Sequence, residues 1–134
     1  MSYTFNKTLK NRDFDAAIVQ VTDELKNQGF GVLTEIDVKA TLKKKIDVDF
    51  RKYRILGACN PTFAHKALTA EPHIGVFLPC NVIVQENQDG DIEVSAVDPM
   101  ASMMSVENES LGAIATEVQL MMKKVIDNLK WDFN

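Results

Sequence analysis

Several features that would point straight to a function are scarce or missing in this 134-residue chain. Its two cysteines, Cys59 and Cys80, are too few for a disulfide framework. The Met-Ser-Tyr-Thr-Phe-Asn start has neither the charged nor the apolar part of a secretory signal, so a reducing cytoplasmic setting with free thiols is expected. No apolar run reaches the ~20 residues of a membrane-spanning helix, and the longest, Ile74 to Val84, is broken by Pro79 and Asn81. A phosphate-cradling loop is missing too: Gly29 and Gly31 mark a helix-to-strand turn without the rest of a dinucleotide fingerprint. With no internal repeat, low-complexity tract or linker, residues 1–134 read as a single domain, large enough to fold without staples.

Surplus positive charge is absent as well. A net charge of −4 argues against nucleic acid as a partner, because neutralising phosphates takes an excess of Lys and Arg. The average hides one basic segment, from Lys39 to Arg54, with seven basic residues against Asp47 and Asp49. A solvated helix face is its plainest reading; a patch for a small anionic ligand is the alternative.

What is present is a succession of clear periodicities. Tyr3, Phe5, Lys7 and Leu9 alternate as a strand, and Asp13 then caps a helix whose apolar stripe is Phe14, Ile18, Val21 and Leu25, ended by Gly29. Val32 to Val38 alternate as a second strand, followed by a short helix carrying the lysines. Tyr53 to Ala58 is apolar on both faces and reads as a central strand. Asn60 caps the next helix, with Pro61 in its first turn. A fourth strand is expected from Ile74 to Gln85, a hairpin at Asp89-Gly90, and a fifth strand over Ile92 to Ala96. Leu111, Ile114, Val118, Met121, Met122, Val125 and Leu129 form the stripe of a long final helix, with Trp131 and Phe133 packing behind it. The fold expected is α+β, a mainly antiparallel sheet in the order β-α-β-β-β-β-α with two long helices on one face. The bare outer face of its central strands is a natural seat for a second copy of the chain.

Several motifs stand in one order and spacing: Phe30-Gly31-Val32-Leu33-Thr34-Glu35-Ile36-Asp37-Val38, Ile55-Leu56-Gly57-Ala58-Cys59-Asn60-Pro61, Glu71-Pro72, Leu78-Pro79-Cys80-Asn81-Val82 and Asp98-Pro99. In these the chain resembles the bacterial and archaeal family called domain of unknown function 302. That resemblance implies an α+β domain akin to TATA-box-binding-protein-like folds, commonly packed as a homodimer, and implies no activity. Lys52 stands where the family pattern leads one to expect proline.

The site candidates are the two Cys-Asn steps, Cys59-Asn60 and Cys80-Asn81, each beside a proline, with His73 near a strand entrance. Core packing is the plain reading of the thiols. Beyond it lie a reactive thiol, favoured at Cys59 by the helix that starts after it, and a soft-metal pair formed by Cys59 and Cys80, whose spacings with His65 and His73 match no zinc motif. Met100, Met103 and Met104 offer thioethers but read first as packing. The expected function is a non-catalytic small-ligand or soft-metal binding dimer whose site gathers Cys59, Asn60, Cys80 and Asn81, with His73 at its rim. A small thiol-dependent enzyme or redox protein using Cys59 or Cys80, and a purely structural dimer, are the alternatives.

Overall fold

The computed structural model describes residues 2–10 and 13–130. Its elements run β1 (Thr4–Leu9), α1 (Phe14–Asn27), β2 (Gly31–Asp37), α2 (Val38–Ile46), β3 (Tyr53–Cys59), α3 (Pro61–Ala70), a 3-10 helix (Pro72–Phe77), β4 (Cys80–Glu86), β5 (Ile92–Val97), α4 (Pro99–Ser102) and α5 (Glu109–Asp127). The five strands make one antiparallel sheet in the order β1-β5-β4-β3-β2. Because β1 and β2 occupy opposite edges, α1 must cross the sheet to join them. The expected α+β class and strand sequence stand.

Local chemistry explains most boundaries. Asp13 accepts from the Ala16 N–H and opens α1. Gly29 closes it at φ +84, and the Phe30 N–H returns to the Leu25 carbonyl at 2.9 Å, so buried Phe30 folds back on the helix end. Gly90 turns the β4–β5 hairpin at φ +87. Phe14, Ala17, Val21 and Leu25 of α1 and Val118, Met122 and Val125 of α5 press on Leu56, Val82, Val84 and Val94 of the sheet. Both long helices therefore lie on one face, and the main core is sealed between.

One expectation is corrected. β4 begins at Cys80 rather than Ile74, because Pro72 starts a 3-10 helix in which Ile74 alone is buried, and Pro79 has no N–H to give to a ladder. Two cations of the basic segment are engaged in ion pairs. Lys43 pairs with Asp47 at 3.0 Å and Asp49 at 3.2 Å, and Arg54 reaches Glu35 at 2.9 Å and Asp37 at 3.4 Å. Trp131 and Phe133, expected behind α5, lie outside the described residues.

Candidate ligand-binding cavity

Beside the main core sits a second, smaller apolar cluster built on Ala67, Ile74 and Leu111, with Leu78 and Met103 packed against it. The two clusters do not close on each other. Between them, at the end of the β3–β4 pair and beneath α3 and α5, lies a cavity of about 260 Å³. Its hollowness has a sequence cause: Ala58 on β3, Ala64 and Ala67 on α3 and Ala115 on α5 all line it. Along α5, Ala115 is the one small side chain in a buried stripe of Leu111, Val118, Met122 and Val125, so at that position α5 puts only a methyl group into the space. The walls are otherwise apolar, including Phe30, Phe63 and Met103. Leu33, pushed outward at a bulge in β2, and Leu68 of α3 line it as well and are 68% and 43% exposed, which leaves the cavity open on an apolar margin.

Three of the four residues of the Cys-Asn steps meet here: Cys59, Asn60 and Cys80 all line this space. Cys80 stands across the ladder from Ala58, with both thiols free. Burial pushes the Cys80 thiol up to about 11, and the neighbouring Cys59 adds to the rise. At neutral pH Cys80 is therefore a protonated thiol and not a nucleophile. Asn60 is extended at φ −102, and its Oδ1 accepts from the Phe63 N–H at 3.4 Å, capping α3 with Pro61 behind it. Its Nδ2 lies 3.1 Å from where a Cβ on Gly29 would sit, so the cap packs directly over that glycine.

The remaining candidates lie elsewhere. Asn81 follows Cys80 in a strand and so turns to the other face, where it is exposed opposite Gly57 and borders a shallow trough with Tyr53, Ser95 and Val97. Gly57 has to be glycine: a Cβ there would collide with the Thr34 hydroxyl and come within 2.8 Å of Pro79 Cγ. His73 is 93% exposed, paired with Glu71 at 3.4 Å, and does not line the cavity. No group of three or more His, Cys, Asp or Glu side chains suited to a metal ion occurs among the described residues. Ala64, Ala67 and Leu68 read in the sequence only as the small apolar face of α3, and Phe63 and Ala115 carried no site reading; the signal for a cavity was alanine recurring where a helix turns its inner face to the core.

The family described as domain of unknown function DUF302 matches residues 5–129. The chain belongs to that family. Among solved structures it is similar to the uncharacterized conserved protein DUF302 from Bacillus stearothermophilus, at 25% identity and a TM-score of 0.86, over 95% of this chain and 98% of that one. No curated protein matches it. The DUF302 motifs fall on the walls and joints just described: Gly57 to Pro61 carries the end of β3 and the cap of α3, and Leu78 to Asn81 carries the turn into β4.

Proposed function

We propose that this DUF302 protein is a non-catalytic binding module that takes a small, mainly apolar molecule in the cavity between α3, α5 and the end of the β3–β4 pair, and that it works as a homodimer. One observation carries the reading: a buried stripe and a helix face are both cut back to alanine where they meet, which hollows the interior at a place with an open apolar margin. An engineered cavity of ~150 Å³ takes up benzene, so a space of this size suits roughly ten to twelve non-hydrogen atoms. A small anionic ligand, the alternative reading of the basic segment, finds no support in this cavity, since no Lys, Arg or His lines it. A soft metal would have to be held by Cys59, Cys80 and the Met103 thioether alone, and a thiol enzyme would have to use Cys59, because Cys80 stays protonated.

The homodimer rests on the uncovered sheet face. Tyr53, Ile55, Ile83 and Val97 share it with Asn81 and Gln85, and α1 and α5 both lie on the opposite side. A second copy would remove this mixed surface from water. The acidic balance and Glu93 on that face speak against nucleic acid as its occupant. Titrating ethylbenzene into the isotope-labelled protein tests the cavity. Saturable shifts at Ala64, Ala67 and Ala115 are expected, and resonances that stay put up to the solubility limit would reject the binding reading. Light scattering at tens of micromolar tests the pairing, and a monomeric mass would reject it.

A further inference from the structure

We infer that the ligand is a linear, uncharged aliphatic chain too long for the cavity between α3 and α5 alone, and that Met103 is the gate past which it extends into a second hollow beside Pro79. The inference rests on the cavity being a ligand site, and it concerns the length and charge of what that site takes. A second space of about 260 Å³ lies at the same end of the sheet, bordered by Val76 and Phe77 of the 3-10 helix and Ser102 of α4. The two hollows have Leu78, Pro79, Cys80 and Met103 in common, so a single layer of residues separates them. One hollow suits roughly ten to twelve non-hydrogen atoms, and the joined pair suits about twice that number. Val76 and Phe77 are exposed, which gives the second hollow an apolar margin of its own.

Three of the four shared residues are fixed in place. Cys80 is bound into the ladder opposite Ala58, and the Leu78 N–H donates to the Gly75 carbonyl at 3.1 Å. Pro79 is a rigid ring lodged against Gly57, where a Cβ would come within 2.8 Å of its Cγ. Met103 is different. It ends the single turn of α4, with its backbone N–H on the Pro99 carbonyl at 3.0 Å, and its side chain rests on the smaller apolar cluster and rotates about unbranched single bonds. Turning that side chain aside joins the hollows without moving the backbone. A chain suits the joined space better than a rigid ring system, since it can bend through a neck the width of one side chain. No charged side chain among the described residues lines either hollow, and Cys80 holds its proton at neutral pH. A carboxylate or ammonium seated here would lose its water with no opposite charge to meet it, so the chain is neutral.

Decanol and tetradecanol separate the cases in the full-length protein, because the first matches the capacity of one hollow and the second exceeds it. Each methylene moved from water into an apolar space gives roughly fourfold in affinity, less the cost of ordering the chain, so tetradecanol should bind roughly a hundredfold tighter than decanol, read by displacement of fluorine-labelled decanol. Tetradecanoate should bind roughly tenfold or more weaker than tetradecanol. Met103→Phe sets a stiff ring in the gate, and there the two alcohols should bind within roughly threefold of each other. Met103→Ala removes the gate and should keep the full ratio. The Val76 methyl and Ser102 amide resonances of the unmodified protein supply a readout that needs no variant to fold, and should move with tetradecanol and stay still with decanol. Equal affinities for the two alcohols, a ratio that survives Met103→Phe or is lost in Met103→Ala, tetradecanoate as tight as tetradecanol, or an unmoved Val76 and Ser102 while Ala64 and Ala67 shift with tetradecanol would each overturn the inference and leave the binding reading intact. If neither alcohol binds, the binding reading fails and takes this inference with it.

Discussion

The two apolar layers under this sheet are built from different stock. The larger sets β-branched and leucine side chains of four strands against the stripes of α1 and α5, and Leu56, Val82, Val84, Val94 and Met122 are all closed to water within it. The smaller is assembled from α3, the 3-10 helix and the start of α5, with three fully buried residues and alanines facing one another. Strands repeat every two residues and present a continuous surface that long helices can cover. Short helical pieces joined by Pro61, Pro72 and Pro99 present separate patches, and separate patches leave gaps. Stability is therefore concentrated under β3, β4 and β5, and the hollow proposed for a ligand lies beside it, where packing stops short.

Truncation is the most forceful way to break that contrast. Leu56→Ala removes a side chain that the main core surrounds completely and should cost about 3–4 kcal/mol in urea denaturation. Leu78→Ala, at the wall of a space that is already hollow, should cost about 1–2 kcal/mol, since its atoms have fewer partners to lose. Ala96, fully buried between β5 and the helices and remote from the cavity, tests the converse, and Ala96→Leu should cost about 2–3 kcal/mol by overpacking. Equal costs for Leu56→Ala and Leu78→Ala would mean that the two layers are packed alike.

The sequence disclosed the dense layer far better than the hollow one. Alternation in β1, β2 and β5, the two-sided apolar run of β3, the stripes of α1 and α5, the caps at Asp13 and Asn60 and the turn at Gly90 are all local signals, and each appears where expected. Local pattern also misled: Ile74, Val76 and Leu78 alternate like a strand but lie in and just beyond a 3-10 helix bracketed by Pro72 and Pro79. The two Cys-Asn steps show the limit most clearly. Inside β4, consecutive residues face opposite ways, so Asn81 leaves the cavity that Cys80 lines, although both border a smaller hollow beside Pro79; at the end of β3, Cys59 and Asn60 both line the main cavity. The first of these was readable in advance from strand geometry alone. The cavity was not, because it depends on alanines more than fifty residues apart, from Ala58 to Ala115, meeting in three dimensions.

Cys80 sits at the seam between the layers, and its protonation measures how dry that seam is. Its thiol is raised from an ordinary 9.0 to about 11, chiefly by burial. Below pH 9 the folded and unfolded chains both hold the proton and the full benefit is present. As pH climbs toward 11 the unfolded chain releases the proton first, and folding loses stability. The stability gap between the unmodified protein and Cys80→Ala should therefore narrow by about 2 kcal/mol between pH 8.5 and pH 11. A gap that does not change with pH would place the thiol in contact with water and the seam open to solvent. Alkylation at pH 8 gives a companion reading, with Cys59 modified ahead of Cys80 and no disulfide-linked form in protein prepared without reductant.

The smallest expected change in stability is the sharpest test of what the hollow is for. Ala67→Leu adds three carbons to a nearly fully buried position on the wall, and a space of about 260 Å³ can take them without forcing its neighbours off their rotamers. The added apolar surface gains by leaving water, while the longer side chain loses rotamer freedom, so the net effect should fall within about 1 kcal/mol of zero. The Ala96→Leu cost predicted above is the reference, because it is the same substitution at a site with no room. If the hollow were only a packing defect, filling it would change nothing else. If it is the ligand site, ethylbenzene binding should drop at least tenfold in Ala67→Leu at almost unchanged stability, since the ligand and the new side chain compete for one volume. A large loss of stability in Ala67→Leu would show the space to be already closed in solution, and unaltered ethylbenzene affinity would place binding somewhere else.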